Sequence, residues 1–466
     1  MLGAMGEIVR LSAVDQANLI VEAPDAPMHE AALGVLDGAS LLDADGHVRI
    51  DQVRAHVEAR LDRIPELRRV LFRRRLLGGP SWVDDPAFRI EDHVLLTRLP
   101  EPGGQAQALA FAEQRMAVLM DRSRPLWEVW FLEGFAPDRV GILVKLHHAV
   151  ADGRAMVNII GQIFDLEPGA FEKPRASWSA SPPPSRRDLL EDDLRRAAGW
   201  WRRRVGALAH PIALARSWAG SYRSLMAVAR QGGGAPRTSL CRPIGISRRV
   251  AVTRVSLDEV KAVAHRQGVK VNDVFLAVVA GGLRQVLFHR GEHVDADGLH
   301  ASVAVSLHHP GDTTTSGNLV GTMIVPLPVD GGDARARLAR IAAACSVAKA
   351  TQPATVSPRL MVALARSRLI RFYIRRQHFI NVMTTNLPGP PVPLYFGGAR
   401  LLDAAAIPPI AGNVTVSFAA LSYDRQLNLS VIADARAWPD FAVLDGAMQS
   451  SWLALKQAVL EARPAA

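Results

Sequence analysis

The sequence predicts an α/β protein: two domains, each a mixed sheet with helices, meeting at a cleft. Three observations carry that reading. The chain of 466 residues is too long for one ordinary hydrophobic core, which favours two bodies of roughly 200 residues each. Segments with strand and helix periodicity alternate through both halves instead of segregating. Between the halves, residues 169–185 are dense in Pro, Ser and Ala and read as a linker. The resulting division is residues 1–170, a connecting segment 171–240, and residues 241–466.

Composition narrows the class. Hydrophobic residues make up 49% and charged residues 21%, which describes a core-forming chain and not a disordered one. Two cysteines, Cys241 and Cys345, supply neither a disulfide framework nor a cysteine-rich zinc site. No run of about 18 uninterrupted apolar residues exists, since the best, 274–283, is flanked by Asp273 and Arg284. The first residues lack a basic segment followed by an apolar one, so no secretory signal is expected, and the expected location is cytoplasmic. A net charge of +10 and a pI of about 10.2 invite a nucleic-acid reading. Only six of the 55 basic residues are lysine, however, and the arginines are scattered through both halves. The expectation is therefore no nucleic acid, with the charge serving a solvated surface, an anionic membrane or an anionic cofactor.

Taken in order, residues 11–28 begin with helical spacing and end in a Pro-rich turn, and a strand is expected at 31–36. Val53, Val57 and Leu61 recur four apart, giving 51–63 one buried helical stripe. Trp82, Val83 and the stretch around His93 read as short strands, and helical spacing returns over 106–120. Residues 124–135 and the apolar run from Val140 form a hairpin, with Asp138 suited to the turn. Met156, Ile159, Ile160, Ile163 and Phe164 then mark an amphipathic helix. Residues 186–230 carry ten arginines against four acids, with Trp200, Trp201 and Trp218 interleaved, and read as helix with basic and aromatic faces. Gly232, Gly233 and Gly234 follow as a second break. In the second half, strands are expected at 250–256, 301–306, 321–328, 379–385, 414–420 and 426–433. Helices are expected at 258–267, 272–288, 334–350, 359–377 and 441–462.

The chemistry concentrates between Val140 and Gly153, where a strand runs into His147 and His148, with Asp152 four residues on. A histidine at a strand end is held rigidly while its ring opens onto a cleft, which suits proton transfer. Adjacent strand residues point to opposite faces, so one ring faces the cleft and the other the core; alternation does not say which. Asp152 would orient the loop by ion pairing or hydrogen bonding. His, His and Asp are also metal ligands, but neighbouring strand histidines diverge and no third His or Cys lies at ligand spacing, so no metal is expected. There is no G-x-S-x-G elbow and no G-x-x-x-x-G-K-[ST] loop.

HHAVADG matches the HHxxxDG signature of coenzyme A-dependent acyltransferases with the chloramphenicol-acetyltransferase-like fold, which also includes peptide condensation domains. Further segments occur in one order: LSAVDQANLIVEAPDAPMH, RPLWEVW, VKLHHAVADG, VNDV, SGNLVG and NVMTTNLPGP. Together they closely resemble the bacterial wax ester synthase/diacylglycerol acyltransferase family over nearly the full length. The resemblance implies two chloramphenicol-acetyltransferase-like domains with the site between them. It implies His148 as general base, with His147 and Asp152 holding the loop and Gly153 beside them. Pro125, Leu126, Trp127, Asn272, Asp273 and Asn386 are implied to shape the site. Residue by residue, plainer roles serve as well: Leu126 and Trp127 as hairpin core, Asn272 and Asp273 as a helix cap, and 386–390 as a structural turn. One departure stands out, because Ser306-Leu307-His308 lies where the family has Ser-x-Arg.

The implied reaction moves a long-chain fatty acyl group from acyl-CoA, the co-substrate, to diacylglycerol or a long-chain fatty alcohol, with no bound cofactor and no acyl-enzyme. A base with an ordinary histidine pKa, near ~6.5, is expected. The basic, Trp-bearing insert would rest on a membrane or lipid droplet, or else be an exposed connecting helix. Competing readings are an acyltransferase for another cell-envelope lipid or polyketide alcohol, and a catalytically silent lipid-binding chain.

Overall fold

The computed structural model describes residues 8–72, 80–172, 178–182, 184–208, 234–295, 298–306, 320–331, 333–350 and 372–461. Two six-stranded sheets organise it. The first runs, edge to edge, through Tyr395–Phe396, Ala399–Ile407, His29–Asp37, Arg139–His147, Trp127–Ala136 and Val94–Arg98. The second runs through Val320–Leu327, Leu299–Ser306, Val382–Pro388, Val416–Tyr423, Gln426–Asp434 and Arg248–Ser256. A small third sheet joins Val9–Arg10, Ser81–Asp84 and Arg69–Phe72.

The predicted hairpin is present: Trp127–Ala136 pairs antiparallel with Arg139–His147, whose residues from Val140 on are buried on both faces. Its other neighbour is His29–Asp37, registered so that His29 faces His147 across the ladder. This pairing links residues more than a hundred positions apart in the chain.

The halves do not separate where composition suggested. Ala399–Ile407, from the second half, adds to the first sheet beside His29–Asp37. The division at 241 is therefore corrected: one strand pair of the C-terminal half completes the N-terminal sheet. Gly34 makes room for it, since a Cβ there would lie 2.9 Å from the Asp403 carbonyl. The strand ARLLDAAAI escaped the sequence reading because its alanines carry little strand propensity and its partner lies far away in the chain.

Helices cover the sheets as amphipathicity dictates. Gly153–Ile163 buries Met156, Ile159 and Ile163. Gly104–Met116 is clamped between the halves: Ala108, Ala112 and Met116 share one core with Leu143 of the first sheet and Val250 and Ile432 of the second. Glu113 on that helix accepts a hydrogen bond from the Val250 N–H (2.8 Å). Among the described residues one helix, Val271–His289, is long and apolar enough to cross a membrane, and most of it is buried. Its residues 274–283 form the centre of the second core, against Phe441–Lys456 and Ala334–Ala350.

Smaller differences concern ends. The strand expected at 379–385 runs from Val382 to Pro388, so Asn386 sits in a strand and not in a turn, because 383–388 continue in parallel register with 417–422. The last helix gives way to a π-turn at Gln457–Glu461. The helix expected at 359–377 falls largely on residues outside those described, as do Trp218, His308 and residues 316–319 of SGNLVG. Residues 209–230 of the basic insert and Gly232 and Gly233 also lie outside them.

Candidate active site

The two neighbouring histidines are told apart by what surrounds them. His147 is the last residue of its strand and is fully buried. Its Nδ1 accepts the Ala149 N–H (2.9 Å), so the ring proton sits on Nε2, which lies 3.2 Å from Glu22 Oε1. His29 places its own Nε2 3.2 Å from the same oxygen. Glu22 Oε1 also accepts the Met28 N–H (3.0 Å), and Oε2 accepts from Arg122 Nη2 (2.7 Å). Burial alone would raise the Glu22 pKa. The contacts with His147, His29 and Arg122 outweigh it and hold the carboxyl far below its usual range. Burial also pulls His29 down to about 4, against the attraction of Glu22, so both rings are neutral.

Glu22, His29 and His147 bring ligand-type atoms within 4.8 Å of one another. The donor set does not suit a cation. A metal on His147 Nε2 would force the ring proton to Nδ1, against the Ala149 N–H, and Arg122 already occupies the carboxylate. The cluster is a brace that fixes the end of the strand.

His148 lies one residue beyond that strand with a quarter of its side chain exposed, 25%. Its N–H donates to Met28 O (2.8 Å) and its carbonyl accepts from Asn18 Nδ2 (3.3 Å), which fixes the backbone from two sides. Its Nε2 lies 2.8 Å from Glu30 Oε1, on the adjacent strand. Burial works to lower the His148 pKa, but the charge and hydrogen bond of Glu30 win, helped by the ring's bond to its own carbonyl and by Asp152, and raise it to about 9. The expectation of an ordinary histidine pKa is corrected: a carboxylate that no local motif announced sits against the ring.

Asp152 caps the following helix, accepting the Ala155 N–H (2.9 Å). Gly153 is there because of the other half of the molecule: a Cβ would lie 2.8 Å from Leu387 Cδ2. Leu387 neighbours Asn386, whose Nδ2 donates to Asn272 Oδ1 (3.4 Å). Strand 382–388 therefore joins two of the predicted residues to each other and packs onto a third. Asp273 is buried and accepts the Lys270 N–H (2.9 Å), a capping role. Leu126 and Trp127 lie in the core, the alternative that the sequence left open. Trp127 Nε1 donates to Leu67 O (2.5 Å) and the ring stacks on His93 at 4.6 Å. Their tie to the site is through the main chain: Leu126 O accepts the His147 N–H (3.0 Å), and the buried Pro125 carbonyl accepts that of Trp127 (3.0 Å). Sequence reasoning missed Glu22, His29 and Glu30. Two of these fall inside the LSAVDQANLIVEAPDAPMH segment and Glu30 directly after it, which is the only local hint.

The profile described as the wax ester synthase/diacylglycerol acyltransferase catalytic domain matches residues 11–275, and that of the WS/DGAT C-terminal domain matches 316–456. The chain belongs to this family. Its HHxxxDG segment, Glu22, His29, Glu30, Asn272 and Asp273 lie inside the first match, and Asn386 and Leu387 inside the second. A Mycobacterium tuberculosis (strain CDC 1551 / Oshkosh) protein provisionally named a diacylglycerol O-acyltransferase is 31% identical over 460 residues, covering 94% of this chain and 88% of that protein. A similarly named Mycobacterium bovis protein is 33% identical over 375 residues, 77% of each. The wax ester synthase/diacylglycerol acyltransferase of Marinobacter aquaeolei VT8 superposes with a TM-score of 0.69 at 22% identity, covering 97% of this chain and all of that one. The starter condensation domain of rhizomide synthetase, solved with C8-CoA and Leu-SNAC, superposes at 0.62 with 15% identity, over 97% and 95% of the two chains. These superpositions establish the two-domain chloramphenicol-acetyltransferase-like fold. As a member of the WS/DGAT family the protein is an acyl-CoA-dependent acyltransferase.

Proposed function

We propose that this WS/DGAT member transfers a long-chain fatty acyl group from acyl-CoA to diacylglycerol or to a long-chain fatty alcohol, with His148 as general base. The observation that carries the assignment is the contrast within the pair: His147 is buried and braced, while His148 is anchored through its backbone and reaches solvent with its ring. Neutral His148 takes the hydroxyl proton as the alcohol oxygen attacks the thioester carbonyl. The imidazolium then returns the proton to the departing thiolate. Positioned base catalysis contributes about 10²–10⁴-fold, and alignment of the two substrates supplies much of the rest. Asn272 or main-chain N–H groups are the candidate donors to the oxyanion. No resident cofactor and no acyl-enzyme enter the scheme.

Thiol release from palmitoyl-CoA, followed with diacylglycerol, with hexadecanol and with no acceptor, tests the reading. Release should depend on an acceptor and track ester formation. Equal release without acceptor would mean hydrolysis and would overturn the transferase reading.

We further propose that the enzyme works at the cytoplasmic face of a membrane or on a lipid droplet, held there by helix Arg186–Leu208. Leu190, Leu194 and Trp201 recur at i, i+4 and i+11, one face of a helix, and are 55%, 60% and 62% exposed. Arg187, Arg195, Arg196 and Arg202 are among the seven arginines of the same helix, suited to anionic headgroups. Leu189 is buried, and Asp192 and Asp193 bind Arg10, so the helix presents this stripe outward. In co-sedimentation with phosphatidylglycerol vesicles, Trp201→Glu should weaken binding about tenfold or more. Unchanged binding of Trp201→Glu and Leu194→Glu would remove the proposal.

A further inference from the structure

Glu30 has no part in the HHxxxDG segment, yet its carboxylate meets the ring of His148 directly. It projects from strand His29–Asp37, with 13% of its side chain exposed, and stands 2.8 Å from Nε2, the nitrogen that an alcohol must reach. We propose that Glu30 is a positioning residue for the base: it holds the protonated His148 ring in its site-facing orientation and stabilises the imidazolium that forms when the alcohol gives up its proton. The inference rests on the acyl-transfer reading above and adds to it a residue and a pH dependence.

The geometry supplies the argument. An aromatic ring with one fixed bond at its Cβ still rotates, and a partner at the tip is what selects one orientation. His147 needs no such partner because it is buried against Glu22 and Ala149. His148 is partly solvated, and Glu30 is the carboxylate that meets its tip. Among the described residues, the other ionisable groups near the ring are Asp152, at the cap of the next helix, and neutral His147, the residue before it, with Glu22 behind that. Asp152 lies in the loop after the ring, whereas the contact with Glu30 is direct.

The steps balance. At rest Nε2 carries a proton shared with Glu30, and that proton leaves to solvent before turnover. With Nε2 unprotonated its bond to Glu30 is released, and the hydroxyl takes that place, donating to Nε2. The O–H bond breaks, the oxygen–carbonyl carbon bond forms, and the imidazolium again faces Glu30. The C–S bond breaks with its electron pair on sulfur, which takes the proton from Nε2. Ester and free thiol leave, and the neutral His148 either accepts the proton of another hydroxyl or is reprotonated from solvent to its resting state beside Glu30.

The sign of the pH dependence follows. Glu30 favours the protonated ring, so the fraction of enzyme with a neutral base is small at pH 7 and grows as pH rises through about 9. In the thiol-release assay with palmitoyl-CoA and the better acceptor, corrected for the enzyme-free rate, kcat/KM should climb through an acid limb well above that of an ordinary histidine. Glu30→Gln keeps the shape without the charge and should lower the limb by at least one pH unit. Glu30→Asp withdraws the carboxylate by about one bond and should move it part-way, which keeps the test open if the glutamine variant fails to fold. An acid limb identical in wild type and both variants, with His148→Ala inactive, would overturn the role of Glu30 and leave the base in place. Full activity in His148→Ala would instead overturn the base itself.

Discussion

Glu22→Ala should be among the most destabilising single substitutions in the protein, lowering stability by about 3–5 kcal/mol. The carboxylate is 3% exposed and holds Arg122, His29, His147 and the Met28 N–H at once. Removing it takes the carboxylate partner from the partly exposed Arg122 guanidinium, which keeps the Leu19 carbonyl, leaves two buried imidazoles without their shared acceptor, and frees the loop that carries Met28. That loop fixes the His148 main chain through Met28 O, so activity should fall with stability. A thermal melt of the purified variant reads the first effect and thiol release the second. A melt within a degree or two of wild type would show that the cluster is not a brace. The pH dependence has a definite sign. Glu22 titrates far below its ordinary value in the folded chain, so its contribution is present above the unfolded carboxyl pKa and is lost only in strong acid. His29 acts in a nearer window: it stays neutral down to about 4 when folded but takes a proton near 6.5 when unfolded, so stability falls as pH drops between those values.

The parts of the site that were legible are those contiguous in the chain. His147, His148, Asp152 and Gly153 stand within seven residues, and a strand followed by an amphipathic helix can be read from periodicity alone. Which of the two rings is buried was not legible, because it depends on Glu30, brought in by a strand pairing across more than a hundred residues, and on Glu22, at the end of the helix before that strand. The perturbed acidity of His148 follows from the same pairing and was missed for the same reason. Pro125, Leu126 and Trp127 illustrate the converse. Their motif was plain, but only the structure shows that it acts through main-chain bonds to the histidine strand while the side chains fill the core. Asn386 shows how a turn-like composition, Asn with Pro and Gly after it, is overruled by a parallel neighbour that extends the strand. The N-terminal sheet looked complete without residues 395–407 because nothing local in an alanine-rich segment reports a partner near residue 33.

Within the fold, each half contributes one side of the arrangement. The first sheet presents His148 and Glu30; the second lays Leu387 over Gly153 and ties Asn386 to Asn272. The shared core along Gly104–Met116 and the strand donated by the C-terminal half keep these surfaces in register. Preorganisation of this kind is what the proposed mechanism, one base acting on two substrates without a covalent intermediate, requires.

The most direct test is His148→Ala, assayed for thiol release from palmitoyl-CoA with acceptor and for thermal stability side by side. The ring is partly exposed and is held at its tip by Glu30, while the backbone bonds to Met28 and Asn18 do not need the side chain. Turnover should therefore fall by about 10²–10⁴-fold with kcat, while the melt stays close to wild type. A variant that folds normally and keeps wild-type turnover would contradict the assignment of His148 as the base.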